Sequence, residues 1–136
     1  MTGLLIIAHG TLGETLIQCA SHVLGRRPPR TASIIVAGRG DPEMLLRQTR
    51  RLIADLDDGT GVLVLTDMCG GTPANIASRA ILPGKVAAIS GVNLPMLLRA
   101  VTYRGLPLAE LVAKAISGGQ DGVGELAVPG GHAKAA

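Results

Sequence analysis

Apolar residues along this chain follow two rhythms. Leu4-Leu5-Ile6-Ile7-Ala8, Gly61-Val62-Leu63-Val64-Leu65-Thr66 and Lys85-Val86-Ala87-Ala88-Ile89 are short, nearly unbroken runs, the pattern of strands buried on both faces. Residues 31–37 read as a further strand, between a loop at 26–30 containing Pro28 and Pro29 and the turn Gly38-Arg39-Gly40. Between these runs the spacing becomes helical. Residues 12–24 place Leu12, Leu16, Cys19, Ala20 and Val23 on one face, closed by Gly25, with His22 off that stripe as a surface residue. Asp41-Pro42-Glu43 opens a second helix with an N-cap acid and a first-turn proline, burying Leu45, Thr49, Leu52, Ile53 and Leu56. Thr72-Pro73 starts a third in the same manner, with the Thr72 hydroxyl as cap, running to about residue 81. Leu94, Leu97, Leu98 and Val101 line a fourth after the turn Ser90-Gly91-Val92-Asn93, and Gly105 breaks it. A last helix from Pro107 buries Leu108, Leu111, Val112, Ala115 and Ile116 and is expected to end at Gly118-Gly119. Residues 123–128 suit a short edge strand, and 129–136, with His132, a loose solvated tail.

Strands alternating with helices predict an α/β fold, a doubly wound parallel sheet with right-handed crossovers and the order 2-1-3-4. Strands one and three then flank the point where the winding reverses, and ligands in such sheets bind at the carboxyl ends there. One domain over residues 1–128 accounts for the chain, without an internal repeat.

Composition narrows the classes. Of 136 residues 47% are hydrophobic, yet Trp and Phe are absent and Tyr103 is the only aromatic. The core is therefore aliphatic, and base-stacking nucleic-acid platforms are missing. The formal charge of +3 is spread over scattered arginines, from Arg26 to Arg104, without a basic run; they read as solvated faces. Cys19 and Cys69 make neither a disulfide framework nor a zinc pattern; Cys19 reads as helix core and Cys69 adjoins a glycine loop. No stretch is long enough to span a bilayer and no leader pattern opens the chain, so a cytoplasmic location is expected.

The candidate chemistry lies where the buried strands end. His9-Gly10 closes the first, and Asp67-Met68-Cys69-Gly70-Gly71-Thr72-Pro73 follows the third. An imidazole whose one nitrogen is held by a carboxylate offers the other as a nucleophile. A helix start preceded by two glycines presents free N–H groups to an anion. His9 and Asp67 as the reacting pair, with Gly70, Gly71 and Thr72 as the phosphate cradle, suit reversible phosphoryl transfer onto histidine. That chemistry calls for no cofactor and no metal. A nucleotide loop with its Lys-Ser/Thr ending is lacking, and Gly38-Arg39-Gly40 fails as a dinucleotide fingerprint because Glu43 stands at the third glycine place.

Ala8-His9-Gly10, the run Thr66-Asp67-x-x-Gly70-Gly71-Thr72-Pro73-x-Asn75-x-Ala77-Ser78-Arg79 and Gly91-Val92-Asn93-Leu94-Pro95-Met96 together resemble the mannose-type enzyme IIA domain of the phosphoenolpyruvate-dependent sugar phosphotransferase system. The resemblance covers residue 1 to about residue 126. It implies a flavodoxin-like sheet, phosphorylation of His9, an orienting role for Asp67 and phosphate contact at Thr72 and its neighbouring amides. It also implies a homodimer in which a C-terminal antiparallel strand, here residues 123–128, is exchanged between subunits. Phosphoryl would come from phosphorylated HPr, the histidine phosphocarrier protein, and go to an enzyme IIB. Cys69 stands where sugar-specific members often carry tryptophan, and no IIB domain follows the tail. The expectation is a stand-alone carrier, either peripheral to a permease complex or in a regulatory relay.

Two other classes share parts of the pattern. Small tetrapyrrole metal chelatases also open with an apolar strand and a His-Gly turn, but need a second histidine close to the first, and only His22 and His132 remain. A non-catalytic signalling module that changes its docking face on histidine phosphorylation would use the same site.

Overall fold

The computed structural model describes residues 1–38 and 40–130; Arg39 and the tail from residue 131, with His132, lie outside the described residues. Among the described residues the chain forms four strands and five helices: β1 (Gly3–His9), α1 (Leu12–Leu24), β2 (Thr31–Val36), α2 (Pro42–Leu56), β3 (Val62–Thr66), α3 (Thr72–Ala80), β4 (Val86–Ser90), α4 (Leu94–Tyr103) and α5 (Leu108–Asp121). All strand pairs are parallel, in the order β2-β1-β3-β4. The flavodoxin-like, doubly wound reading of the sequence holds for these four strands.

Period-two alternation divides the core. Leu4, Ile6 and Ala8 of β1, with Leu63 and Leu65 of β3, face α1, α4 and α5, while Leu5, Ile7, Val62 and Val64 face α2 and α3. Leu4 to Ala8 have no solvent exposure, which makes β1 the spine of both layers. Each such Leu or Ile stabilises the fold by about 1.5–3 kcal/mol relative to an exposed side chain.

Small residues set how close the helices come, and this changes two sequence expectations. On α1 the buried side is Gly13, Ile17 and Ala20, with Leu16 partly covered, whereas Leu12, Cys19 and Val23 are exposed. Cys19 is therefore not core. A Cβ on Gly13 would come within 3.0 Å of Ser33 Cβ and 3.2 Å of Ile6 Cγ2, so α1 rests on the sheet through a glycine. Gly118 and Gly119 do not end α5. The helix runs on to Asp121, and both glycines are buried where a Cβ would approach Arg99 Cβ to 2.7 Å and Met96 Cε to 2.8 Å. The expected edge strand is not formed within this chain either. Residues 123–128 make no strand pairing, and Val123, Leu126 and Val128 are 76%, 92% and 78% exposed.

One arginine departs from the expected solvated role. Arg104 is buried, and its guanidinium donates to the carbonyls of Thr2 (2.9 Å), Pro29 (2.6 Å) and Arg30 (2.9 Å), and to Thr31 Oγ1 (3.3 Å). Burial, reinforced by Arg30 nearby, pushes its pKa down to about 10, so it remains a cation at neutral pH.

The α4–α5 contact gives a direct test. Gly118→Ala improves helix propensity by about 1 kcal/mol, but overpacking against Arg99 costs about 1–3 kcal/mol. A net loss of up to about 2 kcal/mol is expected in denaturant unfolding; a stabilised variant would show that the helices are not this close.

Candidate functional site

His9 is the last residue of β1, and Asp67 follows the last residue of β3. Register pairs Ile7 with Thr66, so both side chains emerge at the carboxyl end of neighbouring strands. There His9 Nδ1 and Asp67 Oδ2 are 2.8 Å apart, and the same oxygen accepts the His9 backbone N–H at 3.1 Å. Asp67 Oδ1 accepts the N–H of Met68 at 3.0 Å. Partial burial alone would raise the Asp67 pKa; the ring and backbone bonds from His9 outweigh it, and the value lies below the ordinary carboxylate range. The carboxylate is thus ionised and can only accept, so Nδ1 carries the proton. In the neutral ring the lone pair is then on Nε2.

The Nε2 edge faces the start of α3. A Cβ on Gly71 would fall 3.0 Å from His9 Cε1 and 3.4 Å from Nε2, so any larger residue would crowd that nitrogen. Gly70 makes the approach with φ +87°. Gly71, not Thr72, is the N-cap residue of α3, and the Thr72 hydroxyl makes no capping bond. Thr72 is instead the first helical residue and is exposed. The first helical bond runs from the Asn75 N–H to the Gly71 carbonyl at 3.0 Å. The N–H groups of Thr72 and Ala74 precede it, and Pro73 has none to offer. The His9 side chain is 51% exposed and that of Asp67 13%, so the outer nitrogen is open to a partner while its holder is sheltered.

All five predicted site residues therefore stand at one end of the sheet. Cys69 is exposed in the same loop, beside Met68, whose side chain is 56% exposed next to Asp67. The sequence carried no signal for Met68, since periodicity says nothing inside a loop. The third motif is structural: Asn93 Oδ1 caps α4 by accepting the Met96 N–H at 2.9 Å, and its Nδ2 donates to the Gly119 carbonyl at 3.1 Å. His22 is exposed on α1. Among the described residues no three His, Cys, Asp or Glu side chains cluster as a metal site requires.

A family model described as the PTS system fructose IIA component, EIIA-man, matches residues 3–116. The chain belongs to this family. It is 35% identical over 123 residues to the mannose-specific EIIAB component of the phosphotransferase system of Escherichia coli K12. That match covers 88% of the chain but 38% of the relative, so the chain spans well under half of that relative's length. Among solved structures, phosphotransferase component EIIA from Streptococcus agalactiae superposes with a TM-score of 0.81 at 27% identity, covering 92% of this chain and 97% of that one. The mannose/sorbose-specific IIA subunit from Enterococcus faecalis shares the fold, with a TM-score of 0.83 at 22% identity over 94% and 96% of the two chains. No helix among the described residues is long and apolar enough to cross a membrane.

The hydrogen-bonded ring can be tested without any activity assay. Nitrogen NMR of His9 at neutral to alkaline pH is expected to find the proton on Nδ1, and Asp67→Ala to release that preference. The Asp67 pKa is lowered in the folded state, so the pairing contributes its full stability above about pH 4 and loses it as pH falls through the depressed value. A wild-type ring protonated on Nε2 alone would contradict the geometry.

Proposed function

We propose that this chain is a phosphocarrier whose His9 Nε2 accepts a phosphoryl group from phosphorylated HPr and passes it to an enzyme IIB. The observation that carries the reading is the 2.8 Å contact of Nδ1 with the ionised Asp67, which leaves Nε2 turned toward the bare backbone at Gly71. The Nε2 lone pair attacks phosphorus, the bond from phosphorus to the donor's histidine nitrogen breaks, and the electron pair returns to the donor ring. No proton need move, because Nδ1–H stays on Asp67 throughout. The transferred group leaves a cationic ring, which the carboxylate stabilises as in hydrolase triads. Thr72, with the N–H groups around it and the positive end of α3, would bind the phosphoryl oxygens. Asp67 and Gly71 in these roles are positioning residues; His9 is the catalytic one.

Incubation with phosphoenolpyruvate, enzyme I and HPr is expected to label the wild type and leave His9→Ala unlabelled. Asp67→Ala should slow labelling by about a hundredfold or more, and Gly71→Ala should slow it while keeping the melting temperature. An unlabelled wild type would refute the function, and a labelled His9→Ala would refute the site.

The domain is proposed to extend over residues 1–128 and to work as a homodimer. Three exposed apolar side chains at Val123, Leu126 and Val128, on a segment without strand pairing in one chain, suit pairing with a second copy. Light scattering should give twice the chain mass, and truncation after Gly122 should shift it toward one. A monomeric full chain would dispose of the exchanged strand.

A further inference from the structure

A cavity of about 360 Å³ opens between α2, α3 and the start of β4, at the end of the sheet remote from His9. Buried Ile53, Ala80 and Val86 form its apolar floor, and Arg50, Arg79 and Lys85 bring three cations to its lining. Two carboxylates bear on this lining, Glu43 through its pair with Arg79 and Asp57 as a lining residue itself. Arg79 is held by Glu43 at 2.9 Å, and Asp57 Oδ1 accepts the N–H groups of Gly59 and Gly61 at 2.8 and 2.9 Å. Arg50 and Lys85 form no ion pair among the described residues, and Arg50 reaches only the Arg79 carbonyl, at 3.5 Å. Two cations without an ion-pair partner, outnumbering the one lining carboxylate of Asp57, stand beside an apolar floor in a volume at the lower end of the ligand-pocket range, which gives a site with a charged side and an apolar side. Charge-assisted bonds to an anion's oxygens would satisfy the donors, and the floor would cover a few carbons.

We propose that this cavity binds a small organic anion, a phosphate or carboxylate head on a short apolar body. The site is independent of the phosphoryl chemistry. Strands of one parallel sheet point the same way, so Lys85 and Val86 before and at the start of β4 stand opposite the end where His9 closes β1. α3 connects the two ends: Thr72 is at its His9 end, and Arg79 and Ala80 line the cavity seven and eight residues, or roughly 10–12 Å, further along.

Amide NMR titration of the full chain with n-butyl phosphate, pentanoate, inorganic phosphate and n-butanol tests this. Saturable shifts are expected at Ala54, Ala80 and Lys85 with butyl phosphate or pentanoate, at a dissociation constant below about 10 mM. The tighter of these two identifies the head group. Inorganic phosphate should bind several-fold more weakly, and butanol should not saturate. The double variant Arg50→Ala/Lys85→Ala, on exposed side chains, should weaken binding tenfold or more at an unchanged melting temperature, while Lys85→Arg should retain it. Shifts confined to Gly70, Gly71 and Thr72, identical titrations of wild type and double variant, or no saturation with either organic anion would each overturn the proposal. None of these outcomes bears on whether His9 takes a phosphoryl group.

Discussion

His9 and Asp67 are 58 positions apart in the chain, yet share a hydrogen bond because β1 and β3 are neighbours in the sheet. That adjacency is a property of the doubly wound strand order. Strand two is laid on one side of β1 and strand three on the other, so the winding reverses between β1 and β3 and leaves a gap above their carboxyl ends. The ring, its carboxylate and the start of α3 all border this gap. Complete burial of β1 makes the base of the site rigid, because its last residue inherits the position of a strand paired on both sides.

The same arrangement explains what could be read from the sequence. Runs such as Leu4 to Ala8 and Val62 to Leu65 announce themselves, since a strand covered on both faces has no polar alternation to dilute the signal. The polar residue that ends such a run is conspicuous by contrast, and His9 and Asp67 were found that way. Asp41 declared α2, and the structure has its carboxylate accepting the Glu43 N–H at 3.0 Å. A doubly wound order with strand one between strands two and three is the expectation from the sequence, the sheet has the order β2-β1-β3-β4, and the shared end of the site follows from that order.

What was not legible depends on small residues and on atoms rather than residue types. Hydrophobic periodicity selects the stripe Leu12, Leu16, Cys19, Ala20 and Val23 on α1; Ala20 is buried as expected, but Leu12, Cys19 and Val23 are exposed, and the close contact with the sheet is made through Gly13, which lies off that stripe. Gly118 and Gly119 look like a helix end for the same reason and are a helix contact instead. Thr72-Pro73 has the composition of a cap followed by a first turn, yet the helix begins one residue earlier in register, at the side-chain-free Gly71. The distinction matters, because a capping hydroxyl would be occupied and an uncapped one is not. Arg104 resembled its solvated neighbours in sequence; only the fold gathers the carbonyls of Thr2, Pro29 and Arg30 around it.

Arg104 also divides the sheet mechanically. By fastening the entry of β1 to the loop leading into β2, from a position just after α4, it ties three separate stretches of backbone together at the end remote from His9. Opening any one of these stretches would break bonds to the other two through the same side chain.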